Sequence, residues 1–293
     1  MPELPEVEAL ARFLDVRTAG SRIASVALAS VSALKTVDPP LNALEGQQVL
    51  SVARRGKFLD LSTDRGLHLV WHLSRAGWVQ WRDEVPSTPV KMGKGPLALR
   101  LAFVSDNGES VGGFDVTEAG TQKRLAVHVV RDPISIPAVA RLGPDALSDE
   151  LTLDLFAAIL AAAGRAQIKG VLRNQSVIAG IGNAYSDEIL HSARLSPFHP
   201  CNSLTPSELA ALYAAMRNEL TTAIKNSVGH GTGGLKSEKK ANLAVHGKAG
   251  QTCPVCGDVV RAVSFSDSSL EYCPTCQTGG KLLADRRTSK FIK

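Results

Sequence analysis

The chain has no run of 18 or more apolar residues, so no segment of it is long enough to cross a bilayer as a helix. It also lacks the basic stretch and apolar core of a secretory signal and opens instead on MPELPEVE, so the expectation is a protein of the cytosol. Cysteine is scarce, five residues in 293, and in a reducing compartment five thiols argue for metal binding rather than disulfides. No internal repeat is present. What remains is an ordinary soluble composition, 44% apolar and 21% charged, on a chain long enough for two domains with real cores.

Charge is unevenly placed. The net charge is +5, yet from Lys225 onward eleven Lys/Arg face five acids, while the first 224 residues carry 22 against 23. A basic last quarter on a near-neutral body points to a polyanionic partner, with a solvated basic tail as the plain alternative.

In the first stretch, Leu4, Val7, Leu10 and Leu14 share one helical face, and the helix should stop near Gly20. Short runs come next, among them QQVLSVARRGKFLDLS, LHLVWHL, GWVQW, LALRLAFV and KRLAVHVV. Their alternation predicts an antiparallel sandwich or barrel of half-buried strands. RDPISIPAVARLGPDALSDE is proline-punctuated and reads as a linker. Beyond Leu151 the pattern is helical: LTLDLFAAILAAA, QIKGVLRNQ, GNAYSDEILHSA, and a long helix opened by a Thr205, Pro206, Glu208 capping box. GHGTGGLKSEKK reads as a mobile loop. The expected domains are 1–130, a linker over 131–150, a helical domain over 151–240, and a cysteine-bearing module with a basic extension over 241–293.

Cys253, Cys256, Cys273 and Cys276 are spaced C-x2-C-x16-C-x2-C, as in a zinc ribbon with two knuckles around one tetrahedral ion. Four protein thiolates leave no open position, so the Zn2+ is expected to be structural and to stabilise a segment too small to fold on its own. Cys201 lies apart and reads as a small buried side chain. In VIAGIGNAYSDEIL, Gly180, Gly182 and Asn183 precede a helix whose free N–H groups suit an anion, and Lys169 lies one helix earlier. A glycine turn between packed helices is the plain alternative.

The opening residues then take on a second meaning. Methionine before proline is normally removed, which leaves Pro2 as a secondary amine. An α-amino group titrates near ~8 and can attack the C1′ of a deoxyribose to form an iminium. Glu3 would stand beside it as proton donor, Glu6 one turn on could modulate both, and Lys57 in RRGKFL at a strand end is a candidate second proton shuttle.

PELPEVE, RRGKFL, HLSRAGW, GIGNAYSDEIL and VHGKAGQTCPVCG…YCPTCQ, in that order, resemble the formamidopyrimidine-DNA glycosylase / endonuclease VIII family over essentially the whole chain. The resemblance implies an α+β multidomain protein: a β-sandwich with an N-terminal helix, a helix–two-turn–helix domain, and a four-cysteine zinc finger. It implies a bifunctional DNA glycosylase and abasic-site lyase of base-excision repair that flips the damaged nucleotide out of the stack. Pro2 becomes the Schiff-base nucleophile, Glu3 the general acid and Lys57 the proton donor in β-elimination. Lys169 and Asn183 match positions that hold DNA phosphates, and Lys248 in VHGKAGQ joins them as a DNA contact. The partner is damaged double-stranded DNA, with single-stranded DNA as a further candidate, and the protein is expected to be a cytoplasmic, nucleoid-associated monomer.

Three departures bear on the substrate. Arg75 stands where the family's turn supplies a gap-filling methionine. FDVTEAGTQKRL, Phe114 to Leu125, stands in place of the segment carrying the other two gap-filling residues. Ser268 replaces the finger arginine that assists δ-elimination. An extruded base leaves a void that needs an apolar or stacking side chain, so these changes argue against oxidised guanine as the main substrate. The competing readings are a damage- or abasic-site-binding protein of the same fold without base excision, and a zinc-ribbon module of the transcription or topoisomerase kind.

Overall fold

A computed structural model describes residues 1–93, 95–120, 122–229, 231–265 and 268–285, leaving out the side chains of Lys236 and Ser237. In chain order its elements are α1 (Leu4–Thr18), β1 (Arg22–Leu28), β2 (Val49–Arg55), β3 (Phe58–Thr63), β4 (His68–His72), β5 (Gly77–Arg82), β6 (Leu97–Val104), β7 (Ser110–Glu118) and β8 (Ala126–Val130). Then come α2 (Pro137–Ala140), α3 (Leu153–Ala163), α4 (Ile168–Arg173), α5 (Asn183–Ser192), α6 (Pro206–Ser227), α7 (Gly231–Asn242), β9 (Arg261–Ser264), β10 (Ser269–Tyr272) and α8 (Pro274–Thr278). No described helix is long and apolar enough to cross a membrane. The chain divides into two compact units: 1–141 with 226–235, and 142–225 with 236–293.

The first unit is a sandwich of two antiparallel four-stranded sheets, ordered β1-β6-β7-β5 and β2-β3-β4-β8. The alternation in the strands aims Leu59, Leu61, Leu69, Trp71, Val127 and Val129 of one sheet at Leu99, Leu101, Phe103, Phe114 and Val116 of the other. Trp71 stacks on Phe114 with ring centroids 5.7 Å apart. Helix α1 buries the predicted Val7, Leu10 and Leu14 against this core, and Asp15 Oδ1 accepts from the Val52 N–H at 2.7 Å, fixing the helix to β2.

Two tight turns of this unit place side chains of chemical interest. Arg55 pairs with Phe58, so Gly56 and Lys57 form a two-residue hairpin, with Gly56 at φ +56° in the position that demands glycine. Lys57 is therefore on a turn rather than at the end of a strand. Between β4 and β5 the Gly77 N–H donates to the Leu73 carbonyl at 2.8 Å; a Cβ on Gly77 would lie 2.0 Å from that oxygen, so only glycine fits.

Three further expectations need correction. FDVTEAGTQKRL stands in place of the gap-filling segment only in part: Phe114 and Val116 are core residues of β7, and only the part from Ala119 is free of the sheet. There Glu118 Oε1 accepts from the Arg124 and Leu125 N–H groups and shapes a short return to β8. The stretch expected as a linker over 131–150 is shared out, 131–141 to the first unit and 142–150 to the second. The glycine-rich stretch after α6 is helical from Gly231, and its first part packs into the sandwich. Leu235 sits in the core at 2% exposure, the Trp78 indole donates to the Thr232 carbonyl at 2.6 Å, and the Trp81 N–H donates to Thr232 Oγ1 at 3.1 Å. These contacts cover the edge strand β5, whose N–H groups would otherwise be open to pairing. His230 and the extension from Arg286 onward lie outside the described residues.

In the second unit Thr152 caps α3, its Oγ1 accepting from the Leu155 N–H. The predicted box opens α6: Glu208 Oε2 accepts from the Thr205 N–H at 2.8 Å, and Thr205 Oγ1 from the Glu208 N–H. Hairpin β9-β10 and α8 carry the cysteine module.

Candidate active site and nucleic-acid interface

Helix α1 begins on an N-cap of an unusual kind. Asn, Asp, Ser and Thr dominate that position, yet here it is Glu3, whose N–H donates to Glu6 Oε2 at 2.8 Å in a reciprocal cap. Glu3 is 2% exposed and Glu6 1%, and Pro2 is buried beside them. Dipole logic explains acids in a first turn but gives no reason to bury two of them with a proline. Sequence and structure thus bring Pro2, Glu3 and Glu6 together at one helix start.

Lys57 is also buried, at 6% exposure, on its hairpin turn. Two residues that the sequence alone does not single out bear on it, one by holding its turn and one by sensing its charge. Arg54 bridges Glu8 Oε2 of α1, at 2.9 Å from its Nε, and the Gly56 carbonyl, at 3.2 Å from an Nη, so the lysine turn is tied to the helix that carries the N-terminus. His72 packs its ring on Phe58 with centroids 4.8 Å apart and accepts the Ser74 N–H on Nδ1 at 3.2 Å. Burial, helped by the Lys57 charge, lowers its pKa to about 4, so this imidazole is neutral at physiological pH. It opens the HLSRAGW motif, but nothing in the linear sequence links it to Lys57.

Arg75 stands exposed at the apex of the Leu73–Gly77 turn, and Ser74 before it is held at φ +56°, a left-handed conformation unusual for serine.

In the second unit Asn183 opens α5 with Gly182 as N-cap, and its Nδ2 donates to the Ser269 carbonyl at 2.7 Å. Lys169 is 4% exposed, with Nζ 2.5 Å from Asp187 Oδ1, 2.9 Å from Ser186 Oγ and 3.2 Å from the Asn183 carbonyl. An ammonium has three hydrogens, so this set engages them all and leaves the charge, not a donor, to act on an anion. Asp187 in turn meets His246 Nδ1 at 2.8 Å, and His246 reaches Glu271 Oε2 at 2.9 Å. The hydrogen bond to Asp187 and the nearby Glu271 carboxylate overcome burial and raise the His246 pKa to about 9, while His246 and Ser269 outweigh burial and hold Glu271 down to about 2. Burial pushes the Asp187 carboxyl up, against the pull of its two cations. Glu188 gathers the N–H groups of Ala244, Val245 and His246, fixing the turn that leads to Lys248. Lys248 itself is half-buried on this turn.

The four Sγ atoms of Cys253, Cys256, Cys273 and Cys276 lie within 4.8 Å of one another. Cys253 and Cys276 are separated by 3.9 Å and Cys256 and Cys273 by 3.3 Å, around the ~3.8 Å edge of a tetrahedron with ~2.3 Å metal–sulfur bonds. Gly257 at φ +80° shapes the first knuckle, its N–H donating to the Cys253 carbonyl. The donor set fits zinc. Ser268, in place of the expected arginine, directly precedes β10.

Comparison with known proteins gives three family matches. Residues 1–121 match the formamidopyrimidine-DNA glycosylase N-terminal domain, 142–233 its H2TH domain, and 250–279 the zinc finger found in FPG and IleRS. An uncharacterized formamidopyrimidine-DNA glycosylase-like protein of Mycobacterium tuberculosis is 54% identical over 157 residues, covering 54% of this chain and 98% of that protein. The formamidopyrimidine-DNA glycosylase of Symbiobacterium thermophilum is 34% identical over 297 residues, covering 98% of this chain and 93% of its own. The crystal structure of the Lactococcus lactis enzyme, non-covalently bound to DNA containing an abasic site, superposes with a TM-score of 0.79 at 26% identity, over 94% of this chain and 99% of that one. With its three domains matched in order and a full-length relative above the level where kinship is secure, the chain belongs to the formamidopyrimidine-DNA glycosylase family.

Proposed function

We propose that the protein excises damaged bases from DNA through Pro2 and then cleaves the strand at the resulting abasic site. The observation that carries this reading is the buried cluster of Pro2, Glu3 and Glu6 at the start of α1. With Met1 removed, the Pro2 nitrogen bonds to C1′ as the glycosidic bond breaks and the departing base takes a proton. The adduct then loses its N–H proton and opens at the C1′–O4′ bond, with Glu3 delivering a proton to O4′, which leaves the iminium. Glu6 holds the Glu3 backbone by its 2.8 Å bond and so sets the direction of that carboxyl. The iminium acidifies C2′; loss of that proton expels the 3′ phosphate with Lys57 serving proton transfer, and water then frees the amine. Asn183 and the start of α5 hold a backbone phosphate, with Lys169 supplying charge from beneath and Lys248 a further contact. Arg75, at the tip of its turn, fills or reads the gap left by the flipped nucleotide.

One zinc ion held by Cys253, Cys256, Cys273 and Cys276 stabilises the finger and leaves no coordination site for substrate. The substrate is damaged duplex DNA, with single strands also accepted, and oxidised guanine is not the main base released. The protein works as a cytosolic monomer at the nucleoid.

The test is reduction with borohydride in the presence of abasic-site DNA. Wild type should form a covalent adduct and Pro2→Gly should lose it, at least ~100-fold by rate. Binding without an adduct in wild type would instead identify a damage-binding protein. Excision of 8-oxoguanine opposite cytosine as fast as abasic cleavage would overturn the substrate reading.

A further inference from the structure

Asn183, Asp187 and His191 are spaced by four along α5, so they project from one face, a turn apart. All three meet the finger segment. Asn183 reaches the Ser269 carbonyl, Asp187 reaches His246, and His191 Nε2 lies 3.3 Å from Cys253 Sγ. The first two are ordinary polar contacts. The third ends on a sulfur of the metal cluster, from a residue that the proposed chemistry leaves unused.

His191 does not itself belong to the ligand set. Among the described residues the four thiols alone make up that cluster, and His191 approaches through the sulfur of Cys253. Both side chains are shut away from water, Cys253 at 1% exposure and His191 at 6%. Four thiolates on a divalent ion carry a net negative charge, and a sulfur without solvent needs a donor from the protein.

We propose that His191 is a positioning residue of the zinc site, donating Nε2–H to the Cys253 thiolate and fixing that sulfur to the last turn of α5. This rests on the reading that the four cysteines hold zinc. The histidine donates either as the neutral tautomer with its hydrogen on Nε2 or as imidazolium. The tautomer with a bare Nε2 would set a nitrogen lone pair against sulfur lone pairs. The same face of α5 begins at Asn183, so the bond ties the metal ion to the helix that opens on the proposed phosphate site.

The experiment uses the full-length, zinc-loaded protein. Metal analysis comes first: a chain that retains no zinc overturns the zinc reading itself, whatever His191 does. Long-range proton–nitrogen correlation of the His191 ring should then show Nε2 protonated, and a bare Nε2 overturns the proposal even if no variant folds. In competition with a chromogenic chelator, His191→Phe should weaken zinc binding about 10- to 100-fold. His191→Gln, which keeps a donor, should fall between, and His199→Phe, at a histidine whose Nδ1 meets the Pro200 carbonyl rather than a ligand sulfur, should match wild type. Equal zinc affinity in wild type and His191→Phe would overturn the assignment.

Discussion

Ser74 shows how a single residue can mark a departure. Its φ of +56° suits glycine, and the strain is stored directly before Arg75, the residue placed where a gap-filling methionine is expected. Ser74→Gly should therefore raise the stability of the first unit by about 1 kcal/mol, read as a higher urea midpoint at unchanged slope. An unchanged midpoint would mean that the turn carries no strain. Arrangements set by immediate neighbours were legible: the helix start that carries Pro2 and Glu3, the Thr205–Glu208 box, and the clustering of the paired cysteines all announce themselves within a few positions. Asp187, His191 and His246 were not, because their partners stand far off in sequence, 62 residues in the case of His191 and Cys253. A lone histidine in a linear sequence carries no sign of what it will face.

Helix α7 is where local composition and tertiary packing disagree. Glycines at 229, 231, 233 and 234 argue for a loop on propensity alone. The docking of Leu235 into the sandwich core and of Thr232 against the two tryptophans decides otherwise. Leu235→Ala should destabilise the first unit by roughly 2–5 kcal/mol, the usual cost of a cavity at a buried leucine. Fluorescence of Trp78 and Trp81 would track that unfolding; a cost below ~0.5 kcal/mol would show that the segment only rests on the surface. The strands were easier to read, since alternation fixes both their existence and the face they bury. Even so, FDVTEAGTQKRL misled, because its first five residues complete β7 before the turn begins.

At the scale of the whole molecule, domain order was legible from motif order, and domain edges were not. Stability of the second unit depends on pH. His246, raised from 6.5 to about 9 on folding, contributes stability that is complete below about pH 6.5 and is lost as pH rises through about 9. Glu271, lowered to about 2, contributes above about pH 4.5 and loses that contribution as pH falls toward 2. Chemical denaturation at pH 6.5 and pH 9 should show the second unit weakening across that interval, and His246→Asn should flatten the difference. An equal slope in the variant would remove His246 as the cause. The return of 226–235 to the first unit has a different consequence, one of timing. A ribosome makes the strands of the sandwich first, yet the piece that covers β5 is synthesised roughly 100 residues later, about 5–20 s at ordinary elongation rates. For that interval the nascent sandwich carries an open edge and a gap where Leu235 belongs, so the molecule is most exposed to misassembly while it is still being made.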